Sequence, residues 1–132
     1  MSAYTLDAWA ILAWLAGDEP AASRVQDIVE SQRPTVSWVN LVEVEYRLRR
    51  NHGAEEAERV FSDLRPIISE ELPGIASMRA VARLKAEYPI ALGDCFAIAT
   101  ATASRSTLVT GNPEIVDRAP GLDCLVLDLR RG

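Results

Sequence analysis

Tyr88-Pro89-Ile90-Ala91-Leu92-Gly93-Asp94-Cys95-Phe96-Ala97-Ile98-Ala99-Thr100-Ala101, with Thr107-Leu108-Val109-Thr110-Gly111-Asn112-Pro113 close behind it, decides the fold. Tyr88 and Pro89 stop one helix, and Gly93 precedes another built on Ala-Ile-Ala-Thr-Ala, expected over residues 94–103. Residues 107–110 are a compact β-branched strand, and Gly111-Asn112-Pro113 is a turn. Short strands alternating with amphipathic helices signal a parallel sheet covered on both faces.

The same alternation continues outward in both directions. Toward the N-terminus, residues 4–7 read as a first strand, followed by a helix from Ala8 that stops at Gly17. Asp18, Glu19 and Pro20 open a second helix to about Ser31, with Pro20 near its first position. Residues 35–37 form a second strand, 39–50 a helix ended by Asn51, His52 and Gly53, and 54–64 another helix. Residues 66–69 are the expected third strand, and Pro73 opens a helix that carries to Glu87. Residues 124–129 close the chain as a last strand. The expectation is one α/β domain over residues 1–132, three-layered, with a short parallel sheet of four to five strands between helices.

A chain of 132 residues needs no staples, because a domain near this size buries roughly 68% of the surface its unfolded chain exposes. Cys95 and Cys124 read as small apolar fillers. The single histidine, His52, leaves no zinc ligand set, so any metal must be held by oxygen. The apolar run at 8–16 is too short for a bilayer, which takes about 20 residues, and it has no basic lead, so a cytoplasmic protein without membrane association is expected. A net charge of −5 argues against holding nucleic acid by bulk positive potential, yet it is compatible with a nuclease whose acids bind metal.

Ligands of open parallel sheets bind outside the carboxyl ends of the strands, so acids just after a strand come first. Asp7 ends the first strand among apolar neighbours, Glu43 lies in the early turns of the helix after the second, and Asp94 starts the helix before the fourth. Each has a plainer reading. Asp94 and Asp7 could be helix N-caps, and Glu43 could pair with Asn40 in a capping box. Together at one sheet edge, three acids would repel one another and raise each other's pKa, a conflict that a divalent cation resolves. Carboxylates without His or Cys select a hard ion, Mg²⁺ or Mn²⁺, which activates water beside phosphate substrates.

Leu6-Asp7 before an Ala/Leu-rich helix, Asn40-Leu41-Val42-Glu43-Val44, the long segment 88–101, and Leu108-Val109-Thr110-Gly111-Asn112-Pro113-Glu114 together resemble the PIN domains of the VapC toxins over essentially the whole chain. The resemblance implies that Asp7, Glu43 and Asp94 hold Mg²⁺ or Mn²⁺. It further implies a metal-dependent endoribonuclease that leaves a 5′ phosphate and a 3′ hydroxyl, is silenced by a VapB-type antitoxin and pairs as a homodimer.

Two departures stand out. Asn112 occupies the place of the family's common fourth acid; its amide can still ligate or orient a water or the substrate but adds no charge, with Glu114 or Asp117 as compensating acids or solvated loop residues. Trp9 replaces a small hydroxyl residue two positions after Asp7, which removes a supporting hydrogen bond. Ser37, Asn40 and Thr110 remain as polar support. Arg47, Arg49 and Arg50 either meet an RNA backbone or form a solvated helix end. Trp9, Trp14 and Trp38 are core or interface anchors first and base-stacking surfaces second. The competing reading is a catalytically weak protein- or RNA-binding module.

Overall fold

β1 (Tyr4–Leu6) occupies the centre of a five-stranded, all-parallel sheet in a computed structural model that describes residues 3–131. Met1, Ser2 and Gly132, the outermost positions of the expected domain, lie outside the described residues. On one side of β1 stand β2 (Thr35–Ser37) and β3 (Ser69–Glu71), and on the other β4 (Thr107–Thr110) and β5 (Val126–Asp128), in the order β3-β2-β1-β4-β5. Leu6 pairs with Val109 and Thr5 with both Leu108 and Thr35. The chain builds outward from β1 in one direction, then returns to build in the other, so the strand order reverses between β1 and β4. That reversal opens a crevice at the carboxyl edge.

The remaining elements are α1 (Ala8–Ala16), α2 (Ala21–Ser31), α3 (Trp38–His52), α4 (Ala54–Leu64), α5 (Ile75–Glu87), α6 (Leu92–Ser104) and the single-turn α7 (Pro113–Val116). Alternation along β4 divides the core in two. Val109 joins Leu6, Ile11, Val25, Val36 and Leu41 beneath α1 to α4, whereas Leu108 joins Val81, Ile90, Ile98 and Ile115 beneath α5 and α6. Successive strand residues face opposite sides of a sheet, so both faces are buried and the three-layer expectation holds. Cys95 and Cys124 are free and buried, as fillers. No helix among the described residues is long and apolar enough to cross a membrane.

Several boundaries differ from the sequence reading. The third strand is Ser69–Glu71, not 66–69, because Arg65–Ile67 continue from α4 as a 3₁₀ turn with Pro66 inside it; its ring fixes φ and removes a ladder donor. Its pairing with β2, Thr35 to Ser69 and Ser37 to Glu71, supplies what β propensity does not. α2 starts at Ala21 after a cis Glu19–Pro20 bond, and Pro20 sits at the cap; the Glu19 carboxylate accepts from the Ser23 amide and hydroxyl. The last strand is shorter than 124–129, with Cys124 outside it. Leu6 is fully buried, so Leu6→Ala should cost about 2–5 kcal/mol in urea unfolding. A loss under 1 kcal/mol would contradict this account of the core.

Candidate active site

The crevice is lined by residues placed with almost no connecting loop. Asp7 is the one residue between β1 and α1, and Ser37 passes β2 directly into α3. Asp7 is an N-cap: its Oδ1 accepts the Ala10 amide at 2.8 Å, while Oδ2 accepts the Thr110 hydroxyl. Thr110 Oγ1 in turn accepts the Asn112 backbone N–H at 3.0 Å, so the ends of β1 and β4 are tied through one side chain. Capping and membership of the acid cluster, alternatives in the sequence, coexist here.

Asp94 is not the cap of its helix. α6 begins two residues earlier at Leu92, with Ala91 as cap, so the Asp94 carboxylate is left for the crevice. Nor does Asn40 open a capping box with Glu43, because Ser37 caps α3 by accepting the Val39 amide at 3.3 Å. Asn40 instead donates through Nδ2 to Glu43 Oε1 at 2.7 Å and to the Gly93 carbonyl at 3.1 Å, joining α3 to α6 across the sheet edge. Turning the amide over would set its oxygen against two acceptors, so its orientation is fixed. Asn40 Oδ1 is left buried without a partner.

Asn112 is similarly committed. Its Oδ1 accepts the Glu114 amide at 3.0 Å and caps α7, and its Nδ2 donates to Asp94 Oδ2 at 2.9 Å. As placed, it faces the acids as a donor rather than as an amide-oxygen ligand. Glu114 and Asp117 are exposed, and only the charge of Glu114 acts on Asp94. Two glycines permit the close approach. A β-carbon at Gly93 would collide with the Glu43 carboxylate, and one at Gly111 with the Trp9 ring. Each directly precedes a site residue, which is the signal a sequence reader could have used.

Asp7 is 2% exposed. Burial pushes its pKa up from 3.8 to about 7, against the hydrogen bonds from Thr110 and Ala10, with the charges of Asp94 and Glu43 adding to the rise. Asp94 is raised from 3.8 to about 6, by partial burial first and the Glu43 charge second, while Asn112 opposes. Asp7 and Asp94 therefore both feel the Glu43 charge, and among the described residues none of the three acids has a basic partner. Among the described residues no three Asp, Glu, His or Cys side chains stand close enough together to hold a metal ion by themselves. The donors at this edge are all oxygen, the chemistry of a hard divalent ion, which would take water for the ligands that the side chains do not supply. Beside it runs a cleft of about 670 Å³ that includes Trp9, Glu43, Arg47, Asp94 and Asn112.

A carboxyl with a raised folded-state pKa favours folding below its unfolded value and loses that advantage as pH rises through the folded one. In chelator, Asp7→Asn should therefore melt several degrees above the wild type at pH 8, a gain on the order of 3 kcal/mol, with the gap closing toward pH 4. Mg²⁺ or Mn²⁺ should narrow the gap at pH 8. Melting curves that keep a constant gap across pH would contradict the buried-acid account.

The sequence profile of the PIN domain matches residues 4–121. No curated protein sequence matches the chain. Among solved structures, DNA-bound VapBC from Salmonella typhimurium is 18% identical, with a TM-score of 0.77 over 98% of this chain and 99% of that one. VapBC-1 from nontypeable Haemophilus influenzae is 21% identical, with a TM-score of 0.74 over 97% and 98%. VapBC2 from Rickettsia felis, bound to a DNA fragment from their promoter, is 16% identical, with a TM-score of 0.75 over 95% and 97%. At these identities the likeness is one of fold. With its central β1, its crevice at the strand reversal and the profile match over most of its length, this chain belongs to the PIN domain family.

Proposed function

We propose that this protein is a divalent-metal-dependent endoribonuclease and the toxin of a type II toxin-antitoxin pair. The observation that carries the reading is the grouping of Asp7, Glu43 and Asp94 at the strand reversal without basic partners, with Asp7 and Asp94 raised in pKa. The fold shared with VapBC structures supports the toxin assignment.

Asp7, Glu43 and Asp94 would hold Mg²⁺, with Mn²⁺ able to replace it. When bound, such an ion supplies positive charge beside the scissile phosphate and acidity to an attacking water. The chain's own contribution is placement. Thr110 and the Ala10 amide fix Asp7, Asn40 fixes Glu43, and Asn112 fixes Asp94. The N-terminal ends of α1, α3 and α6 lie at this edge, and the positive ends of their dipoles would favour a phosphate in spite of the nearby acids. Asn112 is the site's fourth member, acting through Asp94.

Cleavage of total cellular RNA into discrete fragments should need Mg²⁺ or Mn²⁺, stop with chelator and be lost in Asp94→Asn while circular dichroism stays unchanged. Retained cleavage in that variant would overturn the assignment. The competing reading, a weakly catalytic binding module, is favoured by Asn112, which brings an amide where a carboxylate would add charge. Calorimetry separates the two, since no binding of millimolar Mg²⁺ or Mn²⁺ would favour the module.

A cytoplasmic setting, a VapB-type antitoxin and a homodimer complete the proposal. Leu72, Ile75 and Met78 expose a row of apolar side chains at the start of α5, a surface suited to a protein partner. Light scattering at micromolar concentration should return a dimer mass; a monomer would remove that part of the proposal.

A further inference from the structure

Three tryptophans and three clustered arginines raised the question of which, if any, meet substrate, and the structure separates them. Trp14 donates its Nε1–H to Gln26 at 2.9 Å. Trp38 packs on Phe61, ring centres 5.7 Å apart, under the Arg65 guanidinium. Trp9 alone of the three lines the cleft beside Glu43, Asp94 and Asn112. It is half-buried, and its indole N–H has no partner among the described residues. The bare backbone of Gly111 lets the ring settle where any β-carbon would displace it.

The arginines sort the same way. Arg49 bridges Glu45 and Glu58, and Arg50 lies 5.0 Å over the Tyr46 ring. Arg59 reaches the cleft but is paired with Glu56 and Asp63. Arg47, one helical turn beyond Glu43, lines the cleft, is exposed and has no ion-pair or hydrogen-bond partner among the described residues.

We propose that the cleft binds an unpaired stretch of RNA, with one nucleobase stacked on Trp9 and a backbone phosphate on Arg47. This rests on the ribonuclease reading and adds to it the two side chains that would grip the strand beside the acids. An indole offers its face to any base, but only one that is not already paired and stacked in a duplex. A guanidinium free of carboxylates is the group that pairs with a phosphate. In an acidic protein, one unneutralised cation beside the acids marks where the phosphate chain passes.

Binding is measured in EDTA, where no cleavage takes place, by anisotropy of a fluorescein-labelled, mixed-sequence RNA decamer. Trp9→Leu should weaken binding by about ten-fold and Trp9→Phe by much less, because the phenyl ring keeps a stacking face. Arg47→Gln should weaken binding several-fold and flatten the slope of log K against log salt by about 0.7. With Trp14 and Trp38 replaced by Phe, the remaining Trp9 fluorescence should be quenched by the decamer and not by an abasic strand of equal length. Wild-type affinity in a folded Trp9→Leu protein, equal quenching by the abasic strand, or no strand binding by the wild type would each overturn the proposal. If Trp9 variants bind normally and the wild type cleaves RNA, the ribonuclease stands without the stack. If binding depends on Trp9 and nothing is cleaved, the reverse is true.

Discussion

A carboxylate with almost no access to water organises this protein. Asp7 starts α1, accepts the Thr110 hydroxyl and senses the charges of Asp94 and Glu43. Two of those tasks stabilise its charged form, and burial opposes it more strongly. The carboxylate therefore sits in a position that folding tolerates rather than favours, and a cation is what would relieve the cost. Strained polar groups of this kind are retained where function requires them.

The neighbouring groups follow from the need to hold acids close without letting them turn away. Asn40 and Asn112 each give an amide donor to a carboxylate and make one further bond to backbone, Asn40 from the same amide nitrogen to the Gly93 carbonyl and Asn112 through its oxygen to the first turn of α7. Two glycines remove the side chains that would stand in the way. What distinguishes the crevice is less the acids themselves than the network of amides, one hydroxyl and bare backbone around them. Each link joins a different pair of elements: β1 to β4, α3 to α6, and α6 to α7.

Much of this was legible in the sequence, and the reasons differ by element. Alternating helices and strands imply the layered sheet because periodicity reports burial directly, and acids flanked by apolar residues stand out against it. β3 was misplaced because Ser-Glu-Glu has no strand character of its own; its ladder comes from β2. The start of α6 is hidden in the sequence because Asp94 looks like a cap, while Ala91 and Leu92 carry no capping chemistry. Which way an amide turns is a property of its three-dimensional neighbours. For that reason Asn112 reads equally well as ligand or donor until Asp94 and the Glu114 amide are seen on either side of it. The same holds for Arg47 and Trp9, whose freedom shows only once the partners of the other arginines and tryptophans are known.

The hydrogen bond between Asp7 and Thr110 spans 103 residues of chain, and β1 has no partner on that side until β4 arrives. Contacts of such separation are among the last that a chain can form, and during synthesis they wait for the whole stretch between the two residues to leave the ribosome. Asp94, Thr110 and Asn112 all belong to the final third of the sequence. A chain cut short of residue 94 therefore carries Asp7 and Glu43 without the residues that complete the crevice, and whatever chemistry the site performs has to wait for them.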